Sequence, residues 1–241
     1  MAGNNKRTLD MPDENFTETL LPLYNGPYVT VRVGPGGREY KVSRPLLCKH
    51  SSYFRAMFES GFKESHEQAV TMHEIEGVVS ERSFDMLIQW LYLGRLHFQS
   101  QGPEDSITVF IELARLADMC NIKGLEQLLA DKIKATIVNA IPRCHQTYIG
   151  GDDAKIRHLT LEHIEWASML MKGHPVRAII AEASAGAFIL MDDFKFAEEL
   201  RGIANYTDDL LEELRQIIRG HMQEQSIISP YRLAYWRDDG L

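Results

Sequence analysis

Residues 26–42 read Gly26-Pro27-Tyr28-Val29-Thr30-Val31-Arg32-Val33-Gly34-Pro35-Gly36-Gly37-Arg38-Glu39-Tyr40-Lys41-Val42. Val29, Val31 and Val33 alternate with Thr30 and Arg32, the period of a strand with one face buried. Gly34-Pro35-Gly36-Gly37 is turn chemistry, and the return places Tyr40 and Val42 on the same face. Two alternating runs around such a turn predict a β-hairpin. The glycines do not predict a phosphate loop. No Gly-Lys-Ser/Thr follows, and Pro35 removes a backbone donor that a cradle needs.

Outward from the hairpin the period becomes helical. Ser43 is placed to cap a helix that holds Pro45 in its first turn and Leu46, Leu47 and Cys48 on its apolar side. Ser51 caps a second helix, with Tyr53, Phe54, Met57 and Phe58 at helical spacing and Gly61 at its end. Val70 and Met72 predict a third strand. Ser80 opens a longer helix in which Phe84, Leu87, Ile88 and Leu91 form one stripe, broadened by Trp90 and Tyr92 and stopped by Gly94. Residues 99–106 read as an exposed loop. From Ile107 to Cys120 both helix faces are apolar, which predicts a central position in a core. A further helix carries Leu125, Leu128, Leu129 and Ile133. After Pro142 comes a loop from His145 to Lys155, then helices near 160–171, 175–190, 192–202 and 207–222. Thr207 is the expected cap of the last, with Asp208 and Asp209 at its positive end. Residues 1–20 are polar and patternless, and 229–241 read as irregular.

The chain has 241 residues, 26 basic and 34 acidic, and a net charge of -8. Thirteen basic and 17 acidic residues fall in 1–130, and the same numbers in 131–241, so neither half is basic. Phosphate neutralisation needs clustered Lys and Arg, so a nucleic-acid partner is not expected. No run of about 20 apolar residues predicts a membrane span. The N-terminus lacks the apolar stretch of a secretory signal. Three cysteines, Cys48, Cys120 and Cys144, make no even framework, which suits a reducing compartment, cytoplasm or nucleus. The sequon Asn205-Tyr206-Thr207 then carries no glycan.

Catalytic and metal patterns are absent from this reading. Cys144-His145 and the histidines His158, His163 and His174 lack ligand spacing, so no metal and no cofactor is expected. The cysteines adjoin no nucleophile–base pattern, and thiols in apolar helices are inert. Asp192-Asp193, Glu198-Glu199, Asp208-Asp209 and Glu212-Glu213 are neighbours pointing apart on a helix, not acid–base dyads. No enzyme is expected.

Several ordered pieces carry a family resemblance. They are the hairpin with Tyr40-Lys41-Val42; Leu46-Leu47-Cys48; Ser51-Ser52-Tyr53-Phe54-Arg55-Ala56-Met57; Gly61-Phe62-Lys63-Glu64; Phe84 through Gln89-Trp90-Leu91-Tyr92-Leu93-Gly94; and Leu116-Ala117-Asp118. In this order the chain resembles the BTB/POZ domain, and most closely the small BTB proteins of filamentous fungi. His174-Pro175-Val176-Arg177 is similar to a segment of their helical extension. The resemblance implies an α+β fold, a three-stranded sheet flanked by a helical cluster, with a C-terminal all-helical extension. It divides the chain into a loose tail (1–26), the BTB/POZ domain (27–130) and the extension (131–241).

The resemblance also implies a protein-interaction module without catalysis, whose members homodimerise or serve as adaptors on a cullin-type ubiquitin ligase. Phe62-Lys63-Glu64 matches the apolar-x-Glu motif of cullin-binding members. Phe62 and Glu64 are therefore the candidate partner-binding residues, an apolar anchor and a rim carboxylate. Phe62 packed beneath its own loop is the other reading. The Asp and His that shape the dimer side in animal members are replaced, with Tyr28-Val29 at the first strand and Ser43 at the His position. A structural homo-oligomerising module with no ligase role is the alternative function. Ile179, Ile180, Ala183, Ala187, Phe188 and Met191 would either pack on the BTB unit or hold a partner.

Overall fold

Val29, Val31 and Val33 are fully buried on one side of a strand, as their alternation requires. The structure is a computed structural model that describes residues 16–61, 63–140 and 155–228. The expectations for the tail before residue 16, for Phe62, for Cys144-His145 and the loop after it, and for residues 229–241 lie outside the described residues. Strand β1 (Tyr28–Val33) pairs antiparallel with β2 (Glu39–Ser43), Val29 opposite Val42 and Val31 opposite Tyr40. β3 (Ala69–Met72) joins the other edge in parallel, Val31 opposite Val70 and Val33 opposite Met72. The sheet order is β2-β1-β3. At the hairpin turn a Cβ on Gly37 would lie 1.7 Å from the Val33 carbonyl oxygen, so only glycine closes it.

The helices cover the apolar face of this small sheet. A single π-type turn (Phe16–Leu20) leads into α1 (Leu21–Tyr24). α2 (Arg44–His50) buries Leu46, Leu47 and Cys48. Ser43 stands at its start, yet its side chain makes no cap bond. The Ser43 hydroxyl donates instead to the Leu23 carbonyl, and its backbone N–H donates to the Tyr92 hydroxyl at 2.9 Å. The expected cap is thus a tie that holds α1 to the body.

Ser51 does cap α3 (Ser52–Glu59), accepting the Phe54 N–H at 3.1 Å. A short α4 (Lys63–Glu67) precedes β3. α5 (Glu81–Leu93) opens with a reciprocal Ser80–Ser83 capping box and ends at Gly94 with φ +63°. α6 (Pro103–Met119) is the central helix, with Ile107, Val109, Ile111, Leu113 and Leu116 all fully buried. It begins four residues before the apolar run, inside the expected loop. Pro103 in the first turn and Glu104 and Asp105 behind it are start signals that the loop reading overlooked.

α7 (Glu126–Asn139) packs along α6 and leads into the all-helical remainder: α8 (Leu161–Ser168), α9 (Pro175–Leu190), α10 (Glu199–Gly202) and α11 (Ala204–Ile228). α8 packs on α6 and α9 on α7. Of the apolar residues on α9, Ile180, Ala183 and Ala187 are buried by this packing and by α11, whereas Phe188 is exposed. Two expectations fail here. The helix over 192–202 shrinks to Glu199–Gly202, because buried Phe194 and Phe196 and the Lys195 ammonium, bonded to the Leu159 carbonyl at 2.5 Å, hold the preceding residues in turns. Thr207 is no cap, since α11 starts at Ala204 and the Thr207 hydroxyl bonds back to the Leu200 and Ile203 carbonyls.

Candidate docking face

The candidate residues lie where α3 hands over to α4. Gly61 turns the chain at φ +78° after α3, and α4 then places Glu64 in its first turn, half-buried. Favourable interaction with the helix start is expected of a carboxylate there. Lys63 pairs with Glu67 at 3.6 Å across one turn, which leaves Glu64 without an ion pair among the described residues. Gln68 at φ +51° ends α4, and its carbonyl accepts the Thr30 N–H at 2.9 Å, so the sheet fixes the far end of this segment. Phe62, the expected anchor, lies outside the described residues.

Tyr53 projects from α3 beside Glu64. Burial pushes its phenol up, reinforced by the charges of Cys120 and Glu64. The face continues to the corner between α6 and α7. Ser52 accepts a hydrogen bond from the Asn121 side chain, and Asn121 takes a left-handed φ of +49°. Ser51 donates to the Cys120 carbonyl at 2.6 Å underneath, while Arg55 holds the Cys48 carbonyl at 2.7 and 3.0 Å. Tyr53, Ser52 and Asn121 thus stand on a clamped base beside Glu64. They were seen in the sequence only as framework and turn. The available signal was Asn at a turn, the residue that tolerates φ above zero most readily after glycine.

This arrangement offers a half-polar surface. Cys48 and Cys120 are both buried, and burial pushes the Cys120 thiol up to about 12, far from a reactive thiolate. His163 is 1% exposed; burial, then the Lys195 charge, lower its pKa to about 4. The ring bridges the start of α8 to α6. Its Nδ1 accepts the Thr160 N–H at 3.1 Å and its Nε2 lies 2.7 Å from the Thr108 hydroxyl. Among the described residues no group of His, Cys, Asp and Glu could hold a metal ion, and no helix is long and apolar enough to cross a membrane.

The seam with the extension is closely fitted. Arg115 donates to the Gly77 carbonyl at 3.0 Å and lies 5.8 Å from the Trp166 ring centre. A Cβ on Gly77 would approach Trp166 within 2.5 Å. Deeper in the extension Arg177, 4% exposed, holds both Asp209 oxygens at 2.7 and 2.9 Å and the Leu170 carbonyl at 3.0 Å.

Kelch repeat and BTB domain-containing protein 4 of Homo sapiens is 26% identical over 96 residues, 39% of this chain and 17% of that protein. Kelch repeat and BTB domain-containing protein 6 of Homo sapiens is 35% identical over 77 residues, 32% of this chain and 11% of that one. Kelch-like protein 24a of Danio rerio is 30% identical over 133 residues, 47% of this chain and 21% of that protein. The chain therefore spans about a fifth or less of the length of these relatives. A solved structure, the BTB domain of zebrafish PATZ1, aligns at 20% identity with a TM-score of 0.33, covering 44% of this chain and 75% of that one. The family model described as the BTB/POZ domain matches residues 24–137. Residues 24–137 of this chain are a BTB/POZ domain.

Proposed function

We propose that this chain is a non-catalytic protein-interaction module acting as a substrate adaptor on a cullin-type ubiquitin ligase. In this reading residues 27–130 carry the scaffold-binding face and residues 131–241 hold the client. The observation that carries it is the setting of Glu64. The carboxylate closes Phe62-Lys63-Glu64, has no ion pair among the described residues, and stands beside exposed Tyr53 at the edge of a helical face. An apolar anchor with a rim carboxylate is the economical form of a docking motif, the first for affinity and the second for register. Relatives that pair the BTB domain with Kelch repeats support the adaptor reading.

The test is calorimetric titration of the full chain with a cullin N-terminal domain, beside Phe62→Ala and Glu64→Lys. Saturable binding that each variant weakens at least tenfold is expected. Absence of heat and of a complex in light scattering overturns the adaptor reading, and concentration-dependent mass would then favour the homo-oligomerising module.

A further inference from the structure

α11 runs on past its own packing. It meets α8, α9 and α10, and its buried side chains among the described residues, Tyr206 and Leu210, both lie in its first two turns. From Leu211 to Ile228 the helix continues for about 27 Å at 1.5 Å per residue. No described side chain along that stretch is buried. A helix in a protein owes most of its stability to the packing of an apolar face, so a face on this stretch calls for an occupant. One is present. Leu211, Ile218 and Met222 are 54, 57 and 67% exposed. Together with Arg215 they fall within about 60° of one another on a helix of 3.6 residues per turn. Half-buried Leu214 borders this stripe on one side, and exposed Glu212 and Arg219 border it on the other.

We infer that this stripe pairs with the same stripe of a second copy of the chain, the two α11 helices running antiparallel about a two-fold axis. Spacing is the first feature that selects this occupant. Leu211, Arg215, Ile218 and Met222 are separated by four, three and four residues, a pattern that reads the same in either direction. A two-fold axis between Gln216 and Ile217 therefore sets Leu211 of each copy against Met222 of the other, and the apolar stem of Arg215 against Ile218. No foreign ligand requires such symmetry. Charge is the second feature. Before the midpoint stand Asp208, Glu212 and Glu213, beside an Asp209 already held by Arg177, and residues 208–213 include no base. After it stand Arg215 and Arg219, and residues 214–222 include no acid. Antiparallel pairing brings the acidic half of one helix to the basic half of the other, whereas parallel pairing opposes like charges. Arg219 has no ion pair among the described residues. Glu212 meets Arg215 through Oε2 at 2.6 Å, which leaves Oε1 for Arg219 of the second copy. The inference does not rest on the cullin reading and uses none of its residues.

The experiment is sedimentation equilibrium of the full chain from micromolar to submillimolar concentration, beside three variants. The parent is expected to show a monomer–dimer equilibrium. Leu211→Glu with Ile218→Glu, both positions being exposed, is expected to keep the circular dichroism of the parent and to stay monomeric. Arg219→Glu is expected to weaken the dimer at least tenfold, and Glu212→Arg added to it to restore most of the loss. That rescue is specific to antiparallel pairing, because in a parallel pair each position faces its own copy and the exchange changes nothing. Cullin binding by the Leu211→Glu, Ile218→Glu variant is expected to equal that of the parent, so failure of one reading is distinguishable from failure of the other. A monomer at every concentration overturns the inference, and a dimer that appears only after removal of residues 229–241 makes the chain's own end the occupant instead. A dimer that survives Leu211→Glu with Ile218→Glu places the contact on another face and overturns it as well, as does an Arg219→Glu variant that pairs as the parent does.

Discussion

Arg177 and His163 show how single polar side chains hold the helical extension together. Arg177 is almost fully buried, with Asp209, Leu170 and Asn205 as its partners. Removing one member of a buried, hydrogen-bonded pair leaves the other uncompensated, at a cost of about 3–5 kcal/mol. Arg177→Ala is expected to lose that much in urea unfolding, whereas Arg177→Ala with Asp209→Ala recovers part of it. His163 makes the chain acid-sensitive. Its folded pKa, about 4, lies below the ordinary value of 6.5, so the unfolded state binds the extra proton. Stability is complete above pH 6.5 and falls as pH drops towards 4. His163→Gln keeps the capping chemistry and removes the titration. Melting temperature measured against pH is expected to flatten across that window in the variant.

At the scale of elements, helix starts separate what was legible in the sequence from what was not. Ser51 and Ser80 announce α3 and α5 because each cap is local, a hydroxyl within three residues of the N–H it receives. Thr207 misled for the same reason, since its neighbours Asp208 and Asp209 imitate a first turn. The true start is set by Ile203, which ends α10 with ψ +87° and passes its carbonyl to Tyr206 and Thr207. Ser43 is the same kind of case, its hydroxyl taken by a residue 20 positions away. Tertiary partners of this sort leave no periodic trace. Thr160→Ala, which removes a real cap, is expected to cost about 1 kcal/mol. Thr207→Ala is expected to cost less than half as much, in paired urea titrations. The docking face was half visible. Phe62-Lys63-Glu64 stood out as a motif, but the approach of Asn121 to Ser52 joins positions 69 residues apart.

Over the whole molecule, the BTB/POZ domain and the helical extension share one buried apolar cluster. Val29 and Phe84 of the first belong to it together with Ile164, Val176 and Phe196 of the second. Gly77 marks the closeness of that union, as Trp166 and Arg115 leave no room for a methyl group. Gly77→Ala is expected to lower the single melting transition and to raise proteolysis near the seam. Two separate transitions would show instead that the units are energetically independent.

The packing of α9 on α7 also has a consequence in time. The face of α7 that carries Leu129, Ala130, Ile133 and Ile137 is fully covered in the finished fold. On the ribosome the covering helix emerges only later, and its Arg177 latch waits for Asp209. At roughly 5–20 residues per second that is a delay of several seconds. Through that interval the nascent chain shows an oily stripe to solvent, and a translational pause after residue 137 would prolong it. Slow codons placed there are expected to lower the soluble yield, and a holdase chaperone to restore it.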